Sequence, residues 1–328
     1  MVFDEPGDES VLRVAEVSDP QDPQCGPGEV RIRVAAAGVN RADLLQRRGL
    51  YPPPPGASEI LGLECAGTVS EVGDGVEGFA VGDRVMALLA GGGYAEQVAV
   101  PAACVMATPP CLSDFEAGGV PEVFITAFLN LFLVGGLEVG GTALVHGGSG
   151  GVGTAAIQLV KAAGARIVVT AGSDERCHRC LELGADVAVN YREQDFVAAA
   201  RELTEDRGVE VVLDCIGAPY LERHLEVLAT GGRLVSIGLQ GGSRTELDLS
   251  RLMRKRITIA GSTLRARPVE EKGRIIRAFL ERFGAHLDDG RIRPVIDRTY
   301  PFEQAADAHR ALAGGEIFGK VVLTPHDR

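Results

Sequence analysis

Hydrophobic and polar positions alternate early in the chain. Val30, Ile32 and Val34 alternate with Arg31 and Arg33, the pattern of a half-buried strand. Leu63–Val72, Arg84–Leu89 and Tyr94–Val100 read as further short strands, separated by Gly-Asp and Gly-Gly turns. A helix is predicted from Asn40 to Arg48, ended by Gly49. The segment Tyr51-Pro-Pro-Pro-Pro-Gly56 suits neither helix nor central strand and reads as a stiff, extended surface stretch.

The pattern changes near Pro109. Ser113-Asp-Phe-Glu116 is a capping box, so a helix starts there. From Thr142 onward, short apolar strands alternate with helices. Strands are predicted at Thr142–His146, Arg166–Thr170, Val187–Val189, Val209–Asp214 and Arg233–Gly238. The helices between them are Gly151–Ala163, Asp174–Leu183, Phe196–Leu203 and Tyr220–Leu228. Continuous apolar strands alternating with helices predict a parallel sheet covered on both faces, a doubly wound α/β domain. After Ile259 the pattern weakens. A helix at Val269–Arg282, an extended stretch at Pro294–Tyr300, a helix near Phe302–Leu312 and a strand at Lys320–Leu323 are expected.

The 328 residues are enough for two domains, and 45% hydrophobic with 24% charged is a globular composition. The net charge of −12 argues against nucleic acid or an anionic membrane as partner. The acidic start Met1–Ser10 is not a signal peptide, and Phe124–Leu137 is too short to span a bilayer. Seven scattered cysteines fit reduced thiols better than a disulfide framework. The reading is a soluble, cytoplasmic protein.

The candidate chemistry centres on one loop. The strand Thr142–His146 runs into Gly147-Gly-Ser149-Gly150-Gly151-Val152-Gly153 and then a helix. In that context the glycines have separate uses. Gly147 permits a tight turn, Gly150 lets N–H groups approach a pyrophosphate, and Gly153 lets helix and strand pack closely. The second strand ends without a carboxylate where a dinucleotide-binding domain reads the ribose. Ser173, Arg176 and Tyr191 stand there instead and suit a 2′-phosphate, so NADPH is favoured over NADH. Asp174 and Glu175 argue the other way unless they only serve the first turn of a helix. No Tyr-x-x-x-Lys pair exists, and Cys177-His-Arg-Cys180 lacks the second pair a zinc site needs. His146 is expected to pack at a strand end.

Several stretches together resemble the zinc-free quinone oxidoreductases of the medium-chain dehydrogenase/reductase superfamily, the zeta-crystallin-like branch. They are Ala37-Gly-Val-Asn-Arg-Ala-Asp43, Tyr51-Pro-Pro-Pro-Pro-Gly-Ala57, Leu61-Gly-Leu-Glu-Cys-Ala-Gly67, Val81-Gly-Asp-Arg-Val85 and His146-Gly-Gly-Ser-Gly-Gly-Val-Gly-Thr-Ala156. Asn190-Tyr191 and Leu213-Asp-Cys-Ile-Gly217 also match. The resemblance implies a β-rich GroES-like catalytic domain over 1–118 and 265–328, and a Rossmann NADPH-binding domain over 119–264. It implies that Asn40, Asp43, Tyr51 and Thr126 line the nicotinamide and substrate cleft. Gly150, Gly153, Ser173, Arg176 and Tyr191 match cofactor positions. Lys320 is expected to substitute for an Arg that some relatives place on the 2′-phosphate.

Zinc-dependent relatives carry Cys and His where this chain has Asn40 and Leu63, so no metal is expected. The activity implied is NADPH-dependent reduction of a quinone. The alternatives are reduction of a conjugated C=C bond in an enone or alkenal, or low-turnover NADPH binding with a crystallin-like or RNA-associated role. Relatives also imply a homodimer, with Arg233–Gly238 as the sheet edge at its interface.

Overall fold

The computed structural model describes residues 1–16 and 25–325. The chain divides into two compact units. One comprises Met1–Ile125 and Leu264–Arg328, the other Thr126–Thr263.

The first unit begins with β1 (Glu29–Val39), α1 (Arg41–Arg47), β2 (Glu64–Val72), β3 (Arg84–Leu88), β4 (Gln97–Pro101) and β5 (Val105–Ala107). Two short helices follow, α2 (Asp114–Ala117) and α3 (Pro121–Phe128), the second of which runs past Ile125, where this stretch of the first unit ends. Ser113 caps α2 through its hydroxyl while Glu116 reaches back to the Ser113 N–H, the reciprocal box expected from the sequence. Gly49 takes a φ of +73° just past α1, a conformation that needs glycine. The α3 helix runs into a π-helical turn, Leu129–Val134, which the apolar pattern did not foretell.

In the second unit, strands β6 (Thr142–His146), β7 (Arg166–Ala171), β8 (Val187–Asn190), β9 (Val209–Asp214), β10 (Leu228–Ser236) and β11 (Thr258–Gly261) form one sheet. Helices α4 (Gly151–Ala162), α5 (Asp174–Glu182), α6 (Phe196–Thr204), α7 (Leu221–Val227) and α8 (Leu249–Lys255) connect them. The order is β11-β10-β9-β6-β7-β8, and every pair is parallel. Strand order reverses between β6 and β9, the switch point at which such folds bind ligands. All five residues of β6 are buried, as a strand covered on both faces requires. One expectation is corrected. The segment Arg233–Gly238 is not the edge, because β11 lies outside β10.

The chain then returns to the first unit with α9 (Val269–Asp288), β12 (Ile296–Pro301), α10 (Ala305–Gly314) and β13 (Lys320–Thr324). The sheet of this unit runs β12-β13-β1-β2-β3-β5, with β4 also paired to β1. The first half of β1 pairs with β4, and Ala37–Val39 pair with β13. The C-terminal strand thereby lies beside the start of α1. No helix among the described residues is long and apolar enough to cross a membrane.

Candidate active site

In the second unit, the glycine loop follows β6 at the switch point. Gly147 takes a φ of +75°. A Cβ on Gly153 would lie 2.2 Å from the Gly147 carbonyl oxygen, and one on Gly148 would lie 2.6 Å from Val169 Cβ. Only glycine fits either place. The first backbone bond of α4 runs from Thr154 N to Gly150 O. The N–H groups of Gly151, Val152 and Gly153 therefore have no acceptor within the helix and are available to an anion. Ser149 is buried within the loop. These residues fit a pyrophosphate.

Ser173 is the N-cap of α5, and its hydroxyl accepts from Arg176 N at 3.4 Å. Asp174 turns to Asn190, whose Nδ2 donates to its Oδ1 at 2.8 Å. Tyr191 follows β8 and bonds back to Ala171 O through its N–H. Its phenol stands beside Gly172, where a Cβ would lie 3.1 Å from the hydroxyl. Ser173, Arg176 and Tyr191 thus gather at the C-terminal ends of β7 and β8. Thr126 is partly exposed on α3, and its carbonyl accepts from Asn130 Nδ2 at 2.8 Å.

His146 is more than a packing residue. Its Nδ1 pairs with Thr170 Oγ1 at 3.0 Å and its Nε2 with His224 Nε2 at 2.9 Å. Asp214 completes a buried group whose ligand atoms lie within 4.8 Å of one another. That carboxylate already accepts from the N–H groups of Ile216 and Gly217. Burial, with the nearby Arg223 charge, holds His224 down at about 3. A hydrogen-bonded neutral pair accounts for this geometry.

The first unit holds a second buried polar group. Asp43, at the third position of α1, accepts from Asn40 N at 2.8 Å, Gly62 N at 3.0 Å and Tyr94 Oη at 3.3 Å. Burial pushes its carboxyl up to about 6 against the pull of those backbone donors. Tyr94 Oη also meets His309 Nε2 at 3.3 Å, and His309 Nδ1 meets Arg47 at 3.2 Å. An arginine only donates, so Nδ1 accepts and the ring proton sits on Nε2. The chain therefore has one direction, from Arg47 through His309 and Tyr94 to Asp43.

Asn40 is engaged at both ends of its amide. Lys320 Nζ donates to its Oδ1 at 2.7 Å, and its Nδ2 donates to Glu64 Oε1 at 2.8 Å. Asn40 is also the N-cap residue of α1. The expectation for Lys320 is corrected. Its buried ammonium takes Val39 O at 2.9 Å, Asn40 Oδ1, and Glu64 Oε1 at 2.6 Å. Those three partners use all three of its donors, leaving none for a phosphate. Leu63, at the other position where zinc-dependent relatives carry a ligand, is a buried hydrocarbon.

Tyr51 is half-buried, and burial together with the Glu122 charge raises its phenol. Its place is fixed by Arg265, which the sequence did not single out. The buried guanidinium donates to Tyr51 O at 3.3 Å, Ala90 O at 2.7 Å and Gln46 Oε1 at 2.7 Å. It lies 5.4 Å from the Tyr51 ring centre. Glu64, Tyr94, Arg265 and His309 were all missed. The one available signal was Glu64, a charge set inside the apolar run from Leu61 to Ala66.

Comparison with known proteins bears on the family and the two domains. Residues 26–110 match the alcohol dehydrogenase GroES-like domain, and residues 151–281 match the zinc-binding dehydrogenase family. A component of the phenolphthiocerol/phthiocerol polyketide synthase from Mycobacterium tuberculosis is 34% identical over 98% of this chain, which spans only 14% of that protein. Quinone oxidoreductase from Rattus norvegicus is 34% identical over 90% of this chain and 88% of its own length. The crystal structure of Escherichia coli quinone oxidoreductase complexed with NADPH superposes with a TM-score of 0.85 at 30% identity, covering 98% of each chain. The chain belongs to the quinone oxidoreductase branch of the medium-chain dehydrogenase/reductase superfamily.

Proposed function

We propose that this protein is an NADPH-dependent oxidoreductase that reduces quinones without zinc. The observation that carries the reading is Lys320. Its ammonium occupies the centre of the donor set formed by Asn40, Glu64 and Val39 O, and Leu63 supplies hydrocarbon where a ligand would be needed. A divalent ion would have to displace a buried, fully bonded cation. Without a Lewis acid, an unactivated ketone is a poor hydride acceptor. A quinone accepts hydride readily because the charge delocalises over its oxygens.

NADPH, when bound at the glycine loop, supplies the hydride. The chain itself binds and orients. The loop and the α4 N-terminus take the pyrophosphate. Ser173, Arg176 and Tyr191 take the 2′-phosphate. That choice is favoured because β7 ends without a carboxylate and Asp174 is tied to Asn190. Tyr51, fixed by Arg265, offers its phenol to the substrate oxygen, and Thr126 keeps the role the resemblance gives it. Asn40 and Asp43 hold the start of α1 in place.

The test is NADPH oxidation, followed by its near-ultraviolet absorbance, with 1,2-naphthoquinone, an alkenal and a simple ketone in parallel. Quinone turnover is expected, with Tyr51→Phe losing kcat/KM and added zinc changing nothing. Turnover of the alkenal alone would move the assignment to C=C reduction. Activity that appears only with zinc would overturn the reading.

A further inference from the structure

The chain carries a net charge of −12, yet one cavity of the second unit is walled mostly by cations. Its volume is about 300 Å³. Arg201 of α6, Leu225 and Glu226 of α7, and Arg251, Arg254 and Lys255 of α8 line it. Four positive charges thus face one carboxylate. Helices α6, α7 and α8 each run back from the C-terminal end of one strand to the start of the next. Lys255 ends α8, and its Nζ donates to Leu228 O, where β10 begins, at 2.7 Å. The cavity therefore lies beside the strand starts. The glycine loop, Ser173 and Tyr191 lie at the opposite end of the same sheet.

The four cations are not equally committed. Lys255 serves the scaffold. Besides Leu228 O, it donates to Leu225 O at 3.0 Å and Glu226 O at 2.7 Å, closing the end of α7. Burial and the Arg201 charge hold its ammonium down. The arginines keep donors in reserve. Arg201 meets Glu226 at 3.1 Å. Arg251 reaches Glu222 at 3.4 Å and Asp248 at 3.9 Å, both outside the lining. Arg254 donates to Ser250 Oγ at 3.1 Å and, among the described residues, meets no carboxylate at ion-pair distance. A guanidinium has five N–H donors, so these contacts leave some over on each arginine. Like charges gathered around one space repel, and an anion between them removes that cost.

We propose that this cavity binds a phosphorylated small molecule at a site separate from the cofactor's. Arg251 and Arg254 would take the phosphate, because the planar guanidinium fork matches two of its oxygens at once. Arg201, held by Glu226, borders the same space. The volume is that at which small-molecule sites begin, about 300 Å³, and exceeds the need of a lone ion. Leu225 is 2% exposed and gives an apolar floor, which with the arginine stems suits a short carbon frame. The proposal is independent of the quinone reading.

The test is isothermal titration calorimetry of the NADPH-loaded protein, in which the glycine loop is already filled. The probes are glucose 6-phosphate, fructose 1,6-bisphosphate, 3-phosphoglycerate, inorganic phosphate and glucose. At least one organic phosphate should bind once per chain and more tightly than inorganic phosphate, while glucose should give no heat. Arg254→Ala should weaken that binding about 10- to 100-fold, the effect of losing a hydrogen bond to a charged group, with NADPH affinity unchanged. Arg256→Asn removes an exposed charge just past α8 and outside the lining, at a left-handed position that asparagine tolerates. It should bind as the wild type does. No binding of any organic phosphate, equal losses in R254A and R256N, or inorganic phosphate binding as tightly as the organic phosphates would overturn the proposal.

Discussion

The ammonium of Lys320 lies 2.6 Å from the carboxylate of Glu64, with both side chains buried. Removing one partner leaves an uncompensated buried charge. Lys320→Met should lower unfolding stability by about 3–5 kcal/mol, read by urea denaturation. Combining it with Glu64→Gln should recover part of that loss, because the orphaned charge is then gone. Equal stability of the single and double variants would contradict the pairing.

Stability should fall in acid through His309. Burial and the Arg47 charge hold its imidazole down at about 3, far below its ordinary value of 6.5. The unfolded chain therefore binds a proton that the folded chain refuses as pH falls from about 6.5 to about 3. Its contribution is fully present above pH 6.5 and is lost across that window, at about 1.4 kcal/mol per pH unit. His309→Gln should flatten the acid limb of a stability–pH curve by one proton. Asp43, raised to about 6, acts in the opposite sense and remains in both proteins.

Gly153→Ala places a methyl 2.2 Å from the Gly147 carbonyl oxygen, so the loop must move away from the helix. NADPH affinity should fall by about tenfold or more, equivalent to about 1.4 kcal/mol. Fluorescence titration of NADPH measures this. Unchanged affinity would mean that the loop does not hold the pyrophosphate.

Cofactor choice should depend on Arg176. A hydrogen bond to a charged phosphate contributes about 1.5–3 kcal/mol, so Arg176→Ala should weaken NADPH by about 10- to 100-fold. NADH affinity should stay the same. Parallel loss for both cofactors would place the guanidinium elsewhere than on the 2′-phosphate.

The edge strand β11 pairs only with β10 among the described residues, and Ile259 on it is 41% exposed. A homodimer built by edge pairing would cover that strand. Analytical ultracentrifugation should find a dimer that Ile259→Asp shifts toward monomer. A wild type that sediments as monomer at micromolar concentration would reject this interface.

The sequence by itself determined what local spacing encodes. The α2 capping box is closed within four residues, from Ser113 to Glu116. The glycine loop is set by the crowding of Gly148 and Gly153 against their immediate surroundings. The strands of the second unit were legible because burial on both faces makes them continuously apolar. Helix α8 and strand β11 were not, since α8 has no buried residue and so writes little periodicity. The polar group of the first unit was decided only by the tertiary structure. Lys320 meets Asn40 across 280 positions and Tyr94 meets His309 across 215. No local pattern links such residues. Lys320 reaches Asn40 because β13 returns antiparallel to β1, and α10 brings His309 to Tyr94; buried there, these polar groups must find partners, since water is excluded.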